Sequence, residues 1–294
     1  MKSWPSLAPF AQTLSMPGGN LFYYDSDADA AEKPAIILIH GLGDEADTWR
    51  HVFPLLAGTG FRIIAPDLPG FGRSLWKGKI SLYSQRDAII LLIEKTGAAS
   101  KMPAALAGSS LGAGIAELTA FKKPDWIKAL ILIDGCFPFP NKVELGFFLL
   151  SLPFAGRKWY RGFRKNHEAA WKSLYLYYGS LDAMNSEDRE FLRERVIARV
   201  ESSNQENGYF STVRSMNNYL IFGRRAAVRN IKNYPGKISL IWGDKDRIFP
   251  QEKAALFRRL RPDADFAIIA DAGHLPHQEQ PRETAEKIIR FCNN

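Results

Sequence analysis

Gly108-Ser109-Ser110-Leu111-Gly112 constrains this chain more than any other stretch. It follows the apolar run Ala104 to Ala107 and leads into the small-residue segment Ala113-Gly114-Ile115-Ala116. A serine between two glycines at a strand-to-helix junction reads as a nucleophile elbow. The turn is so sharp that the serine backbone is strained and side chains two residues to either side would collide. Ser110 has Gly108 and Gly112 at those flanks, whereas Ser109 has Ala107 and Leu111. Ser110 is therefore the candidate nucleophile.

A serine hydroxyl is a poor nucleophile at neutral pH unless a base lies beside it. The chain has five histidines: His40, His51, His167, His274 and His277. His274 is the candidate base, because the apolar run Phe266 to Ala270 leads directly into Asp271-Ala272-Gly273-His274. His277 is its rival; Pro276 separates it from the turn, and it reads as a supporting or helix-start residue. The base needs an acid to fix its tautomer and stabilise its charged form. Ile238 to Trp242 reads as a strand that runs into Gly243-Asp244-Lys245-Asp246. Asp246 is the preferred acid, Asp244 is its neighbour, and Asp134, ending the apolar run Ala129 to Ile133, is a further candidate. A developing oxyanion needs donors. His40-Gly41-Leu42-Gly43 follows the run Ile36 to Ile39, so the amides of Leu42 and of Leu111, just after the nucleophile, are the candidates. His40 reads as a brace for this loop.

The runs at 35–39, 61–65, 104–107, 129–133, 238–242 and 266–270 read as buried parallel strands. An early hairpin is expected around Gln12 to Leu14 and Leu21 to Tyr24, with turn chemistry in Met16-Pro17-Gly18-Gly19-Asn20. Helical segments fall between most strands, for example Ser84 to Lys95 and Gln251 to Arg261. The alternation predicts an α/β fold, a mostly parallel doubly wound sheet covered on both faces. Ligands then bind beyond the carboxyl ends of the strands, where every site segment falls.

On these residues the chain resembles the α/β-hydrolase fold superfamily. The order Ser110, Asp246, His274 is similar to the family order of nucleophile, acid and base. The oxyanion motif stands as His40-Gly41-Leu42-Gly43, and the loop after the next strand as Asp67-Leu68-Pro69-Gly70-Phe71-Gly72-Arg73-Ser74. The acid segment stands as Gly243 to Pro250 and the base segment as Gly273-His274-Leu275-Pro276. The resemblance runs from about residue 20 to the C-terminus apart from a central insertion. It implies a cofactor-independent serine hydrolase that cleaves small apolar carboxylic esters through an acyl-enzyme on Ser110, as serine esterases and lipases do. Haloalkane dehalogenases and epoxide hydrolases share the architecture but carry an aspartate where this chain has Ser110. A carbon–carbon bond hydrolase for dienone acids, a cofactor-free haloperoxidase-like perhydrolase, and a ligand receptor on the same fold are the alternatives. Nothing in the chain calls for a metal.

The interval from Ser110 to Asp246 is too long for the core alone. We therefore expect a core in two parts, 1–136 and 234–294, with residues 137–233 inserted as an aromatic-rich helical cap. A helix is expected over Glu187 to Glu201 with Ser186 as its N-cap. The stretch Val143 to Phe154 is its most apolar part, and Phe147 and Phe148 are candidates to line an acyl pocket. Residues 137–233 hold 16 Lys/Arg against 9 Asp/Glu, so they carry nearly all of the formal charge of +8. Clusters such as Arg157-Lys158, Arg161, Arg164-Lys165 and Arg224-Arg225 suit anionic substrates or weak contact with an anionic membrane surface. No recognition motif accompanies them, which argues against nucleic acid. No run of about eighteen apolar residues suggests a membrane span. The start, Met1-Lys2-Ser3-Trp4-Pro5, lacks a secretory apolar stretch, and Cys136 and Cys292 are the only cysteines. Together these favour the cytoplasm.

Overall fold

The computed structural model describes residues 1–135, 152 and 155–294, so Phe147 and Phe148 lie outside the described residues. Strands β1 (Ala11–Met16), β2 (Gly19–Asp25), β3 (Ala35–Ile39), β4 (Arg62–Pro66), β5 (Ala104–Ser109), β6 (Ile127–Ile133), β7 (Lys237–Gly243) and β8 (Asp265–Ile269) form one sheet. Their order is β1-β2-β4-β3-β5-β6-β7-β8. β1 and β2 make the expected antiparallel hairpin, and β2 pairs antiparallel with β4. From β4 to β8 every neighbouring pair is parallel.

The helices are α1 (Val52–Ala57), α2 (Leu82–Thr96), α3 (Leu111–Lys122), α4 (Ala155–Lys165), α5 (His167–Lys172), α6 (Ser186–Glu201), α7 (Ser203–Asn218), α8 (Arg224–Asn233), α9 (Glu252–Leu260), α10 (Pro276–Glu279) and α11 (Pro281–Asn293). β3, β4 and β5 are buried at every residue, which explains why they read as continuous apolar runs. Their alternation appears in which core each residue joins. Ile37, Ile39, Leu106, Leu130 and Leu132 pack with side chains of α2, α3, α8 and α9. Ile36, Leu38, Ala105, Ala107 and Ile131 pack on the other face with α1 and α11. Successive strand side chains point to opposite faces, so a sheet covered on both sides needs apolar residues at every position.

Two helix starts differ from the sequence reading. α2 begins at Leu82 because Ser81 is its N-cap: its Oγ accepts from Ser84 N–H at 3.1 Å, and Ser84 Oγ accepts from Ser81 N–H at 2.8 Å. α6 takes Asn185 as its N-cap instead of Ser186; the Asn185 side-chain oxygen accepts from Asp188 N–H at 2.9 Å. Asparagine and serine cap equally well, so adjacent copies cannot be ranked by type.

The parallel register aligns the strand ends that carry the candidate residues. Ile39 pairs with Gly108, Ser109 with Ile133, Ile133 with Ile241, and Gly243 with Ile269. The segments that follow β3, β5, β6, β7 and β8 therefore leave from one edge.

Between β6 and β7 the described residues are helical, from α4 to α8. Two small apolar clusters hold α4 to α7 together, one around Tyr160, Val196 and Phe210, the other around Trp171, Tyr178 and Leu192. α8 instead buries Ala227 and Ile231 in the same core as α3 and the sheet.

Candidate active site

Ser110 sits between β5 and α3 with φ 53° and ψ −115°. A non-glycine residue there is strained by about 1–3 kcal/mol, and such strain is tolerated where the surroundings impose it. Here the packing does so. A Cβ on Gly108 would collide with the Gly112 carbonyl, and one on Gly112 with the Ile39 carbonyl. Ser110 N–H donates to Ile133 O at 2.8 Å, which ties the turn to β6. Ser109 is wholly buried, and its hydroxyl has no hydrogen-bond partner among the described residues. Sequence reasoning missed Gly135. A Cβ there would stand 2.7 Å from the Ser110 Cα, so the chain leaving β6 must pass the elbow as bare backbone.

His274 is 2% exposed, and its Nδ1 lies 2.9 Å from Asp246 Oδ2. The other Asp246 oxygen accepts from the N–H groups of Ile248 and Phe249, at 2.8 and 2.9 Å. Those bonds fix the carboxylate and leave Oδ2 for the imidazole. Asp244 turns away to accept from Ala272 N–H at 3.2 Å. Asp134 is wholly buried, with Oδ1 accepting from Gly243 N–H at 2.9 Å. Its Oδ2 meets no N–H donor among the described residues. Burial, reinforced by the neighbouring Asp246, raises its acid well above the usual carboxylate range. Asp134 thus lies buried behind the carboxyl group that faces His274.

His277 is buried apart from this group. Its Nε2 lies 2.8 Å from Thr48 Oγ1, its ring packs 4.3 Å from Trp49, and burial pushes its pKa down to about 3. His40 braces a loop: its Nε2 accepts from Leu68 N–H at 2.8 Å, and Nδ1 reaches Gly41 O at 2.8 Å. Burial lowers its pKa, and Nε2 as acceptor leaves the proton on Nδ1.

Ser110 and His274 line one cavity of about 240 Å³. Gly41, Leu42 and Gly43 form part of its wall, and Leu111 follows as the first residue of α3. The first N–H groups of a helix have no intrahelical acceptor. The remaining wall is mostly apolar: Trp159, Phe163, Leu174, Val196, Tyr209 and Met216 from the inserted helices, and Phe249 from the core. One cation, Arg199, lines it among the described residues. Its guanidinium is held by Asp44 and by both Glu45 oxygens, at 2.6 and 2.9 Å.

Two more groups escaped sequence reasoning. Glu279 accepts from Gly273 N–H at 2.7 Å, Gly179 N–H at 3.1 Å and Ser180 N–H at 3.0 Å. His274 N–H donates to Tyr177 O at 2.7 Å, so the loop of the candidate base is stitched to the insertion. Glu45 is the other, buried without exposure between Arg195 and Arg199. A buried charge signals the need for a partner, but these partners lie about 150 residues away in sequence. Three arginines of α4 also share one partner. Arg157, Arg161 and Arg164 converge on Glu206, at 2.6, 2.9 and 2.8 Å.

The alpha/beta hydrolase family model matches residues 36–287. Lipase 1 of Psychrobacter immobilis is 26% identical over 289 residues, 95% of this chain and 83% of that protein. A 2-hydroxy-6-oxononadienedioate/2-hydroxy-6-oxononatrienedioate hydrolase of Paraburkholderia phymatum is 23% identical over 281 residues, 93% of this chain and 92% of that one. The crystal structure of Cfl2 from Burkholderia cenocepacia superposes with a TM-score of 0.80 at 21% identity, over 96% of this chain and 95% of that one. The strained Ser110 at a strand-to-helix junction, the His274–Asp246 pair on the same sheet edge and a family match over most of the chain lead to one conclusion: the chain belongs to the alpha/beta hydrolase family.

Proposed function

We propose that the protein is a serine esterase acting on uncharged carboxylic esters with an apolar acyl group. Ser110 Oγ attacks the acyl carbonyl as His274 Nε2 takes its proton. Asp246 orients the imidazole and stabilises its charged form. The N–H groups of Leu42 and Leu111 receive the developing oxyanion. The alcohol leaves with the proton from His274, and an acyl-enzyme on Ser110 remains. His274 then activates water, which releases the acid and restores the serine.

The observation that carries this reading is the His274 Nδ1–Asp246 Oδ2 contact of 2.9 Å at the wall of a cavity that also holds Ser110. The apolar wall supports an uncharged acyl chain, each buried methylene of which would gain about 0.8 kcal/mol. The resemblance to a lipase points the same way. The relative that hydrolyses a dienedioate favours carbon–carbon cleavage as the second reading. Such a substrate brings carboxylates, and Arg199, the cation in the described wall, is already held by Asp44 and Glu45. That favours the ester.

Two measurements test the proposal. A phosphonate probe should label Ser110, as read by mass spectrometry; an unlabelled Ser110 would overturn a serine mechanism. A p-nitrophenyl ester panel should then give higher kcat/KM for medium acyl chains than for acetate. A steady fall from acetate upward would rule out the apolar acyl site.

A further inference from the structure

A second and larger concavity, about 810 Å³, opens on the protein surface between the 76–83 segment and the outer side of α7. Lys77, Lys79 and Arg214 line it, and no Asp or Glu does so among its described lining residues. All three cations are exposed. They differ from Arg157, Arg161 and Arg164, each of which contacts Glu206.

Large apolar side chains stand out of the same surface. Phe222, 83% exposed, and Tyr83, 48% exposed, line the concavity. Leu75, 63% exposed, and Ile221, 53% exposed, are the chain neighbours of its lining residues Trp76 and Phe222. Ile221 and Phe222 lie in a π-helical turn, Tyr219–Gly223, between α7 and α8. The frame behind them is firm. Leu82 N–H donates to Ser215 Oγ at 3.0 Å, and Tyr83 and Tyr219 pack edge to face at 6.3 Å. A rigid element that holds a phenylalanine and an isoleucine in water gains nothing from them in the monomer, and such patches mark interaction surfaces.

We propose that this face docks on an anionic phospholipid bilayer, with Phe222, Ile221 and Leu75 entering the boundary between headgroups and acyl chains and Lys77, Lys79 and Arg214 meeting lipid phosphates. The pattern of exposed apolar side chains beside cations, with no carboxylate between them, is complementary to an anionic interface and repelled by none of its charges. No helix among the described residues is long and apolar enough to cross a membrane, so the contact is peripheral. The surface lies back to back with the site: α7 turns Asn207, Ser211 and Arg214 toward the concavity and Tyr209 and Met216 toward the Ser110 cavity. The docking is a binding event and stands whether or not the ester reading holds.

Vesicle co-sedimentation of the full chain tests it, with phosphatidylcholine vesicles against phosphatidylcholine mixed with phosphatidylserine. The wild type should partition more strongly onto the mixed vesicles, and added salt should erase the difference. Each cation at such a surface is worth about a fivefold gain in partition. Lys77→Gln/Lys79→Gln/Arg214→Gln should therefore lose on the order of 100-fold on mixed vesicles and little on neutral ones. Ile221→Ser/Phe222→Ser should weaken binding to both. Thermal melting should be unchanged in each variant, since the replaced side chains are exposed. Equal binding of the wild type to both vesicles, or no binding to either, would overturn the proposal. So would a loss produced by Arg157→Gln/Arg161→Gln/Arg164→Gln but not by the Lys77, Lys79 and Arg214 changes. A dimer in light scattering that Phe222→Ser dissolves, without vesicle binding, would assign the face to a second copy of the chain.

Discussion

Arg195 Nε donates to Glu45 Oε1 at 2.8 Å, and both side chains are buried. The pair joins α6 of the insertion to the loop that follows Leu42. Burial alone would raise the Glu45 acid, but Arg199 and Arg195 more than reverse this and hold it far below the usual carboxylate range. Removing one partner of a buried pair leaves a charge without compensation. Glu45→Gln should cost about 3 kcal/mol of stability, measured by urea unfolding. A loss within a few tenths of neutral would show that the arginines are solvated without it.

The same shift has a pH signature. The folded Glu45 acid is more dissociated than the unfolded one, so its contribution is fully present above the unfolded pKa and disappears as pH falls through the folded value. Asp188 behaves alike: its own burial is outweighed by His51 and Arg50, and its acid is lowered. The melting temperature should therefore drop on acidification below about pH 4.5, and the drop should be shallower in Glu45→Gln. Parallel curves for the two proteins would contradict the assignment.

Ser110→Ala should abolish ester hydrolysis by about 10³-fold or more, while Ser109→Ala, a buried residue, should cost far less activity. Ser110→Gly adds a second readout. It should raise stability over Ser110→Ala by about 1 kcal/mol, because glycine adopts this backbone conformation without strain. Equal melting temperatures for the two variants would mean that the turn is not strained.

The structure places Asp246, the preferred acid, on the imidazole and Asp134 behind it. Asp246→Asn should lower kcat by orders of magnitude, because the amide leaves the imidazole in the wrong tautomer. Asp134→Asn should be mild, since the asparagine side-chain oxygen can still accept from Gly243 N–H. Asp134→Leu should be worse than Asp134→Asn. Severe loss in Asp134→Asn with little in Asp246→Asn would transfer the acid role to Asp134.

Glu206 ties three arginines of α4 to α7, so these side chains should matter for stability. Arg157→Gln/Arg161→Gln/Arg164→Gln should lower the melting temperature, and adding Glu206→Gln should recover part of the loss, because Glu206 no longer needs a cation. If the triple variant instead keeps its stability and loses only rate on anionic esters at low salt, the arginines act through their field.

Much of the sheet was legible because most of its parallel strands are continuous apolar runs ending in a loop with polar or glycine residues. β3, β5 and β7 read this way within a residue or two. Ser110, Asp246 and His274 were legible for the same reason: each follows such a run, and the turn chemistry around it is local. The buried strand expected at 266–270 is instead the edge strand β8, in which only Ile269 is buried. Asp134 was left open because only the folded structure shows which carboxyl meets the His274 imidazole. Gly135, Glu279 and the Glu45–Arg195 pair carried no local signal, since the backbone, amides and guanidinium they meet come from distant segments. The expected role of Phe147 and Phe148 falls outside the described residues.

Glu279 has a kinetic consequence. It grips amides of Gly273, in the loop of His274, and of Gly179 and Ser180, in the insertion, with one carboxylate. Lifting the 177–180 strip would pull on the loop that carries His274, so strip and loop should move together. In hydrogen exchange, the amides of Gly179, Gly273 and His274 should open as one unit, more slowly than those of α4.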